Sequence, residues 1–87
     1  EADIRGIVPA HGGGFMICGR SNYKMYLLKI TASGLVDWEK NYGVNSGILY
    51  GVIADSGGGY TAAGVETDPA TNYGDLRLIR TNSAGGI

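Results

Sequence analysis

The chain has almost none of the residues that usually carry catalysis or cross-links. It contains one cysteine, one histidine, one tryptophan and two prolines among 87 residues. A lone cysteine closes no internal disulfide and leaves the redox compartment open. One His and one Cys do not make a typical zinc site, which takes about four nitrogen or sulfur ligands, or three plus water. Charge of one sign is missing too. Seven Lys and Arg against eight Asp and Glu give a net charge of −1, with no basic stripe. Nucleic acid and anionic membrane surfaces are therefore not expected partners. No apolar run approaches the ~18 residues of a membrane helix. Apolar spacing follows two rather than 3.6, so no helix is expected. The length is that of one small domain or part of a larger one. Beginning at Glu1 rather than methionine, the chain reads as a processed or excised piece.

Glycine is what the chain has. There are sixteen, without the three-residue period of collagen. They organise a stretch written twice: Gly12-Gly13-Gly14-Phe15, three apolar residues and Gly19, then Gly57-Gly58-Gly59-Tyr60, three small residues and Gly64, 45 residues later. Each copy reads as a glycine turn opening a short strand. Upstream, Ile4 to Pro9 matches Leu49 to Ala54, and Gly6 and Gly51 recur inside them. Glycine weakens a strand interior, so its recurrence suggests close approach of another backbone.

The third segment, Met25 to Thr31, returns as Leu76 to Asn82 at an offset of 51. Six extra residues therefore fall within Val65 to Asp75, expected to form a polar loop. After Gly34, the pattern Val36, Trp38, Tyr42 predicts a fourth strand with one packed face, Trp38 anchoring it to its own unit. The second unit reaches Ile87 before a fourth strand begins. The expected fold is all-β: antiparallel four-stranded units over about 1–43 and 46–87, the second lacking its last strand. A 45-residue period lies in the range of propeller blades.

These residues carry a resemblance. Gly13-Gly14-Phe15, Gly19, Leu27-Leu28-Lys29, Gly34, Trp38, Lys40 and Tyr42-Gly43 in the first unit resemble the blades of a bacterial and archaeal β-propeller family. Gly58-Gly59-Tyr60, Gly64, Leu78-Ile79-Arg80-Thr81-Asn82 and Gly85 do so in the second. The resemblance implies stacked propeller-like blades and, since members are often parts of secreted or surface proteins, a secreted or cell-surface location. It implies no activity, because propellers host many unrelated functions. Two units do not close a ring of about four to eight blades. Further blades are therefore expected, from other copies in a homo-oligomer of three or four chains, or from blades missing from this piece. The faces expected to be left free are Met25, Leu27 and Ile30 on one unit and Leu76, Leu78 and Ile79 on the other.

Several patterns resemble chemical motifs. Gly14 to Ser21 nearly spells a phosphate loop, but Arg20 replaces its lysine and the interior is a strand-like run. The triple glycines lack the strand-to-helix context of a dinucleotide fingerprint. Cys18 aligns with Ala63 and reads as a buried small hydrophobe. His11 aligns with Ser56 and reads as a solvated turn residue. Asp37 and Glu39 share a strand face, as a carboxylate pair would, but an outer strand normally turns that face to solvent. No catalytic residue, cofactor or metal ligand set is assigned.

The candidate binding residues lie in two loops. The first is basic, with Arg20, Asn22, Tyr23 and Lys24. The second carries Glu66, Asp68, Asn72, Tyr73 and Asp75, whose oxygens approach the density that hard cations take but not the spacing of an EF-hand. The favoured function is a non-catalytic propeller module that binds a protein or glycan, or scaffolds. The alternative is a blade pair from a propeller enzyme, quinoprotein-like or polysaccharide-degrading. An enzyme would gather His, Arg or carboxylates on its inner strands. Those strands hold Arg5 and Tyr50 but no His or acid in their interiors, which favours binding.

Overall fold

The computed structural model describes residues 2–87, which form strands and turns only. The strands are β1 (Ala2–Pro9), β2 (Phe15–Ser21), β3 (Lys24–Ile30), β4 (Val36–Tyr42), β5 (Gly47–Ala54), β6 (Tyr60–Asp68) and β7 (Tyr73–Thr81). Every neighbouring pair is antiparallel, giving one meander β1-β2-β3-β4 and a second, β5-β6-β7. The all-β expectation and the counts of four and three strands hold.

Local geometry recurs at the offsets read from the sequence. Between β1 and β2, Ala10 N–H donates to Gly14 O at 3.0 Å; between β5 and β6, Asp55 N–H donates to Gly59 O at 3.0 Å. The β3–β4 turn has Gly34 N–H donating to Thr31 O, and 51 residues later Gly85 N–H donates to Asn82 O. A bulge interrupts β1 between Ile4 and Gly6, and another interrupts β5 between Leu49 and Gly51. The glycine opposite each bulge has a steric reason. A side chain at Gly19 would run into the Asp3 carbonyl, and one at Gly64 into that of Ile48. The bulged strand leans onto its neighbour there, and only a residue without Cβ accepts it.

The sheets pack face to face. Met16, Cys18, Met25, Leu27 and Tyr42 of the first sheet meet Leu49, Val52, Tyr60, Ala62 and Ile79 of the second. The counterparts of that second set in the first sheet are Ile4, Ile7, Phe15, Ile17 and Leu28. Ile7, Ile17 and Leu28 are cross-strand partners, so they share a face, and it is the one opposite Met16 and Cys18. The front of the first sheet therefore covers the back of the second. At Gly6 a methyl would press on Cys18 Sγ of its own sheet at 3.2 Å and would make only ordinary contact across the stack, 3.6 Å from Tyr50 O and 4.0 Å from Gly51 Cα. At Gly51 a methyl meets nothing within 4 Å, so the close backbone approach expected of both glycines is absent.

This stacking corrects the list of free residues. Met25, Leu27 and Ile79 are buried in the inter-sheet core, and Ile30 is half-buried. Exposed apolar residues on the outer sheet faces include Ile4, Ile7, Phe15 and Val36 on the back of the first sheet, and Ile53, Leu76 and Leu78 on the front of the second.

Trp38 is also corrected. A bulge between Lys29 and Ile30 takes Asp37 out of register, so Val36 opposes Ile30 while Trp38 opposes Lys29. Val36 and Trp38 thus lie on opposite faces. Trp38 Nε1–H donates to Ser83 O at 3.2 Å, and Tyr42 O–H donates to Gly85 O at 2.7 Å. The tryptophan ring covers Gly85, where a Cβ would lie 2.7 Å from it. Trp38 therefore anchors the last turn of the second sheet as well as packing against the core.

Candidate functional site

Strand order brings the β2–β3 tip, the 43–46 linker and the β6–β7 tip to one end of the stack. The first tip is a two-residue turn between the paired Ser21 and Lys24. Asn22 (φ 55°) and Tyr23 (φ 63°) are both left-handed, as a hairpin turn matching strand twist requires. The second tip is longer. Asp68 pairs with Tyr73, and Asp68 O accepts from Asn72 N–H at 2.7 Å.

The expected loop over Val65 to Asp75 is mostly strand. Relative to β2 and β3, β6 and β7 each gain two residues, and the tip gains two more. The inserted residues lengthen a ladder because each added pair satisfies its own backbone groups. Val65–Thr67 and Gly74–Asp75 are thereby placed in register as strand partners.

Glu66, read above as a loop ligand, is buried instead. Its Oε2 accepts the N–H groups of Val44 at 2.8 Å and Asn45 at 2.9 Å. Its Oε1 accepts from Arg77 Nε at 2.9 Å. The Asn45 N–H, with Arg77 and the Val44 N–H, holds the carboxyl below the usual glutamate range against the opposing effect of burial. Glu66 is spent on tying the linker between the sheets to β6. Lys24 serves the same linker, with Nζ donating to Val44 O at 2.9 Å.

The other candidates remain available at this end. Tyr23 and Tyr73 are 76% and 75% exposed, and Asn22, Asn72 and Asp75 are exposed too. Asp68 accepts from Ala70 N–H and shapes its own turn. Arg20 donates to Asp3 at 3.4 Å, and Arg5 donates to the same carboxylate at 3.2 Å. An open cleft lies there between Ala2, Asp3, Arg20, Asn22 and Tyr23. Arg5 also lies over the Tyr50 ring, 5.9 Å from its centre, so the two bulged residues of β1 and β5 touch. Among the described residues, no three of His, Cys, Asp and Glu gather at cation-binding distance.

The remaining motif candidates have structural partners. Gly14 to Ser21 lies in a hairpin and opens no helix. Burial pushes the Cys18 thiol up, away from the thiolate a nucleophile needs. Asp37 accepts from Lys29 and Glu39 accepts from Tyr26 O–H at 2.6 Å, so the two carboxylates serve different partners. Burial, together with the Glu39 hydrogen bond and charge, pushes the Tyr26 hydroxyl up to about 12.

His11 is not the solvated turn residue expected. Its backbone N–H donates to Tyr60 Oη at 3.0 Å, and its Nε2 bonds Gly59 O at 3.0 Å. Its ring lies tilted on Tyr60, 5.2 Å between centres. Sequence reasoning missed this inter-sheet contact, and one signal for it was present. His11 and Tyr60 both depart from their counterparts Ser56 and Phe15, and the departures touch each other.

Compared with protein-family models, characterised proteins and solved structures, the chain gives no significant match to any of the three. Its chemistry is therefore read from the site. The end offers two exposed tyrosines, two exposed amides and charges of both signs. Such a set stacks on and hydrogen-bonds to a polar ligand surface.

Proposed function

We propose that the chain is a β-propeller-type repeat module that binds a protein or glycan and assembles with further blades, rather than carrying out catalysis. The observation that carries this is the front-to-back stacking of two similar antiparallel meanders, with both hairpin tips emerging at one end. Similar units stacked in one direction form a rigid frame, and loops held on a rigid frame suit recognition. Tyr23, Tyr73, Asn22 and Asn72 are the contact residues of this reading, with Arg20, Asp68 and Asp75 around them. Glu66 and Lys24 hold the linker beneath.

Thermal-shift screening against soluble glycans and peptides tests the reading, because a ligand that binds only the native state raises its melting temperature. The shift should disappear in the Tyr23→Ser/Tyr73→Ser double variant. Both residues are exposed, so the unliganded melting temperature of that variant should match the parent. A shift that survives the double variant moves the site away from this end. Turnover of the ligand would instead favour the enzyme alternative.

A further inference from the structure

Each sheet has one covered face and one free face, and the two free faces are not alike. The free back of the first sheet presents Ile4, Ile7 and Phe15, with Leu28 half-buried beside them. Their counterparts, Leu49, Val52, Tyr60 and Ile79, are the residues of the second sheet already buried inside the chain. The free front of the second sheet presents Ile53, Leu76 and Leu78. Their counterparts Val8, Met25 and Leu27 lie at the other side of that same internal contact. Both halves of an interface that exists once within the chain thus stand uncovered at its two ends.

We infer that the front of the second sheet of one copy docks on the back of the first sheet of another copy, continuing the internal stack head to tail. This rests on the repeat-module reading above. One vacant space agrees with it. A methyl on Gly6 would meet Cys18 Sγ at 3.2 Å and Tyr50 O at 3.6 Å, whereas Gly51 has nothing within 4 Å. Gly51 therefore leaves open the space that a neighbouring backbone fills beside its counterpart Gly6.

The contact between copies differs from the internal one in its polar groups. Ser56 stands where the internal interface has His11, and Phe15 stands where it has the Tyr60 hydroxyl. The join between copies therefore lacks that lock, and its two faces carry Arg80 and Thr61 on one side and Glu39 on the other. A head-to-tail contact repeats until it closes, and closed rings are the usual outcome when the rotation permits. Three or four copies supply six or eight sheets, within the span of about four to eight blades known for propellers.

Analytical ultracentrifugation of the wild type, Ile7→Arg, Leu78→Arg and an equimolar mixture of the two variants tests this. Wild type should sediment at three or four times the 9.1 kDa protomer mass. Each variant alone should be a monomer, because one of its two docking faces carries a charge. The mixture should give a one-to-one dimer, because each variant retains the face the other has lost. The mixture is run at roughly 0.1 mM, where even a micromolar contact is nearly saturated. Ile4→Lys and Leu76→Lys repeat the design at other exposed positions, and far-UV circular dichroism checks that each variant folds. A monomeric wild type overturns the inference. So does wild-type mass in a folded single variant, which would mean that like faces pair, and so does a mixture that stays monomeric. These outcomes are read in mass alone. A ligand-induced thermal shift abolished at Tyr23 and Tyr73 would still support the binding reading.

Discussion

Glu66 shows how a residue's neighbours redirect its chemistry. In sequence it stands among oxygen-bearing side chains, but its carboxylate accepts two linker N–H groups and Arg77. Glu66→Ala should lower stability by about 2–3 kcal/mol in urea denaturation, since it strands polar groups that had a charged partner. Its pKa is depressed below the ordinary value of 4.5, so its stabilisation is present above that pH and is lost as pH falls through the folded value. Glu66→Gln should therefore flatten the acid limb of the stability curve, and an unchanged limb would contradict the assignment. Tyr26 and Tyr42 act at the other extreme. Both are raised from 10.0 to about 12, chiefly by burial. Their contributions are complete below pH 10 and disappear as pH rises from there through 12. Denaturation midpoints measured across that window should fall more steeply for wild type than for Tyr42→Phe.

At the scale of the element, the bulge decides which glycines matter. Gly64→Ala sets a methyl against the Ile48 carbonyl, which is backbone and moves only with its strand. The substitution should cost about 2–4 kcal/mol or prevent folding, in the range of strained and overpacked sites. Gly51→Ala, at an equally recurrent glycine, meets nothing within 4 Å and should leave the monomer's stability within about 0.5 kcal/mol. Equal losses at the two positions would remove the steric account of the bulge. Trp38 belongs to the same scale, because β4 reaches across to the turn that follows β7. Trp38→Ala should cost about 2–3 kcal/mol, less than the ~3–5 kcal/mol of a fully buried aromatic, because the ring is only partly covered. Chemical denaturation measures it, and a loss under about 1 kcal/mol would mean that the Ser83–Gly85 turn holds without it.

For the whole molecule the governing fact is that two sheets bury only half of their four faces. Leu76 and Leu78 are 81% and 69% exposed, on the face whose counterpart in the first sheet forms the core. Sheet faces of that kind associate when a complementary surface is present. If the folded chain self-associates through them, its melting temperature must depend on concentration, because association stabilises the native state by mass action. Calorimetry over a hundredfold range of protein concentration should show a steady upward shift, and a constant melting temperature would mean that the faces remain free.

Much of this molecule was legible in the chain, and the boundary has a physical cause. Strand positions, glycine turns and the four-plus-three division follow from period-two patterning and from residues that tolerate left-handed backbone, which are local properties. The recurrence at 45 and 51 residues also located the longer second hairpin, though not that its added residues extend the ladder. The Asp37 bulge, which sends Val36 and Trp38 to opposite faces, left no period-two mark. Nor did the sequence determine which face of each sheet is covered. Met25 and Leu27 read the same as Leu76 and Leu78, yet the first pair is core and the second is exposed. That difference arises only when one sheet stacks on the other in a single direction, so that alike residues acquire unlike neighbours. His11 and Glu66 belong to the same class, since their partners lie across the stack or across the linker. Local sequence set the strands and turns; the direction of stacking, a property of the assembled pair, decided burial, the linker's anchoring and the surfaces left free.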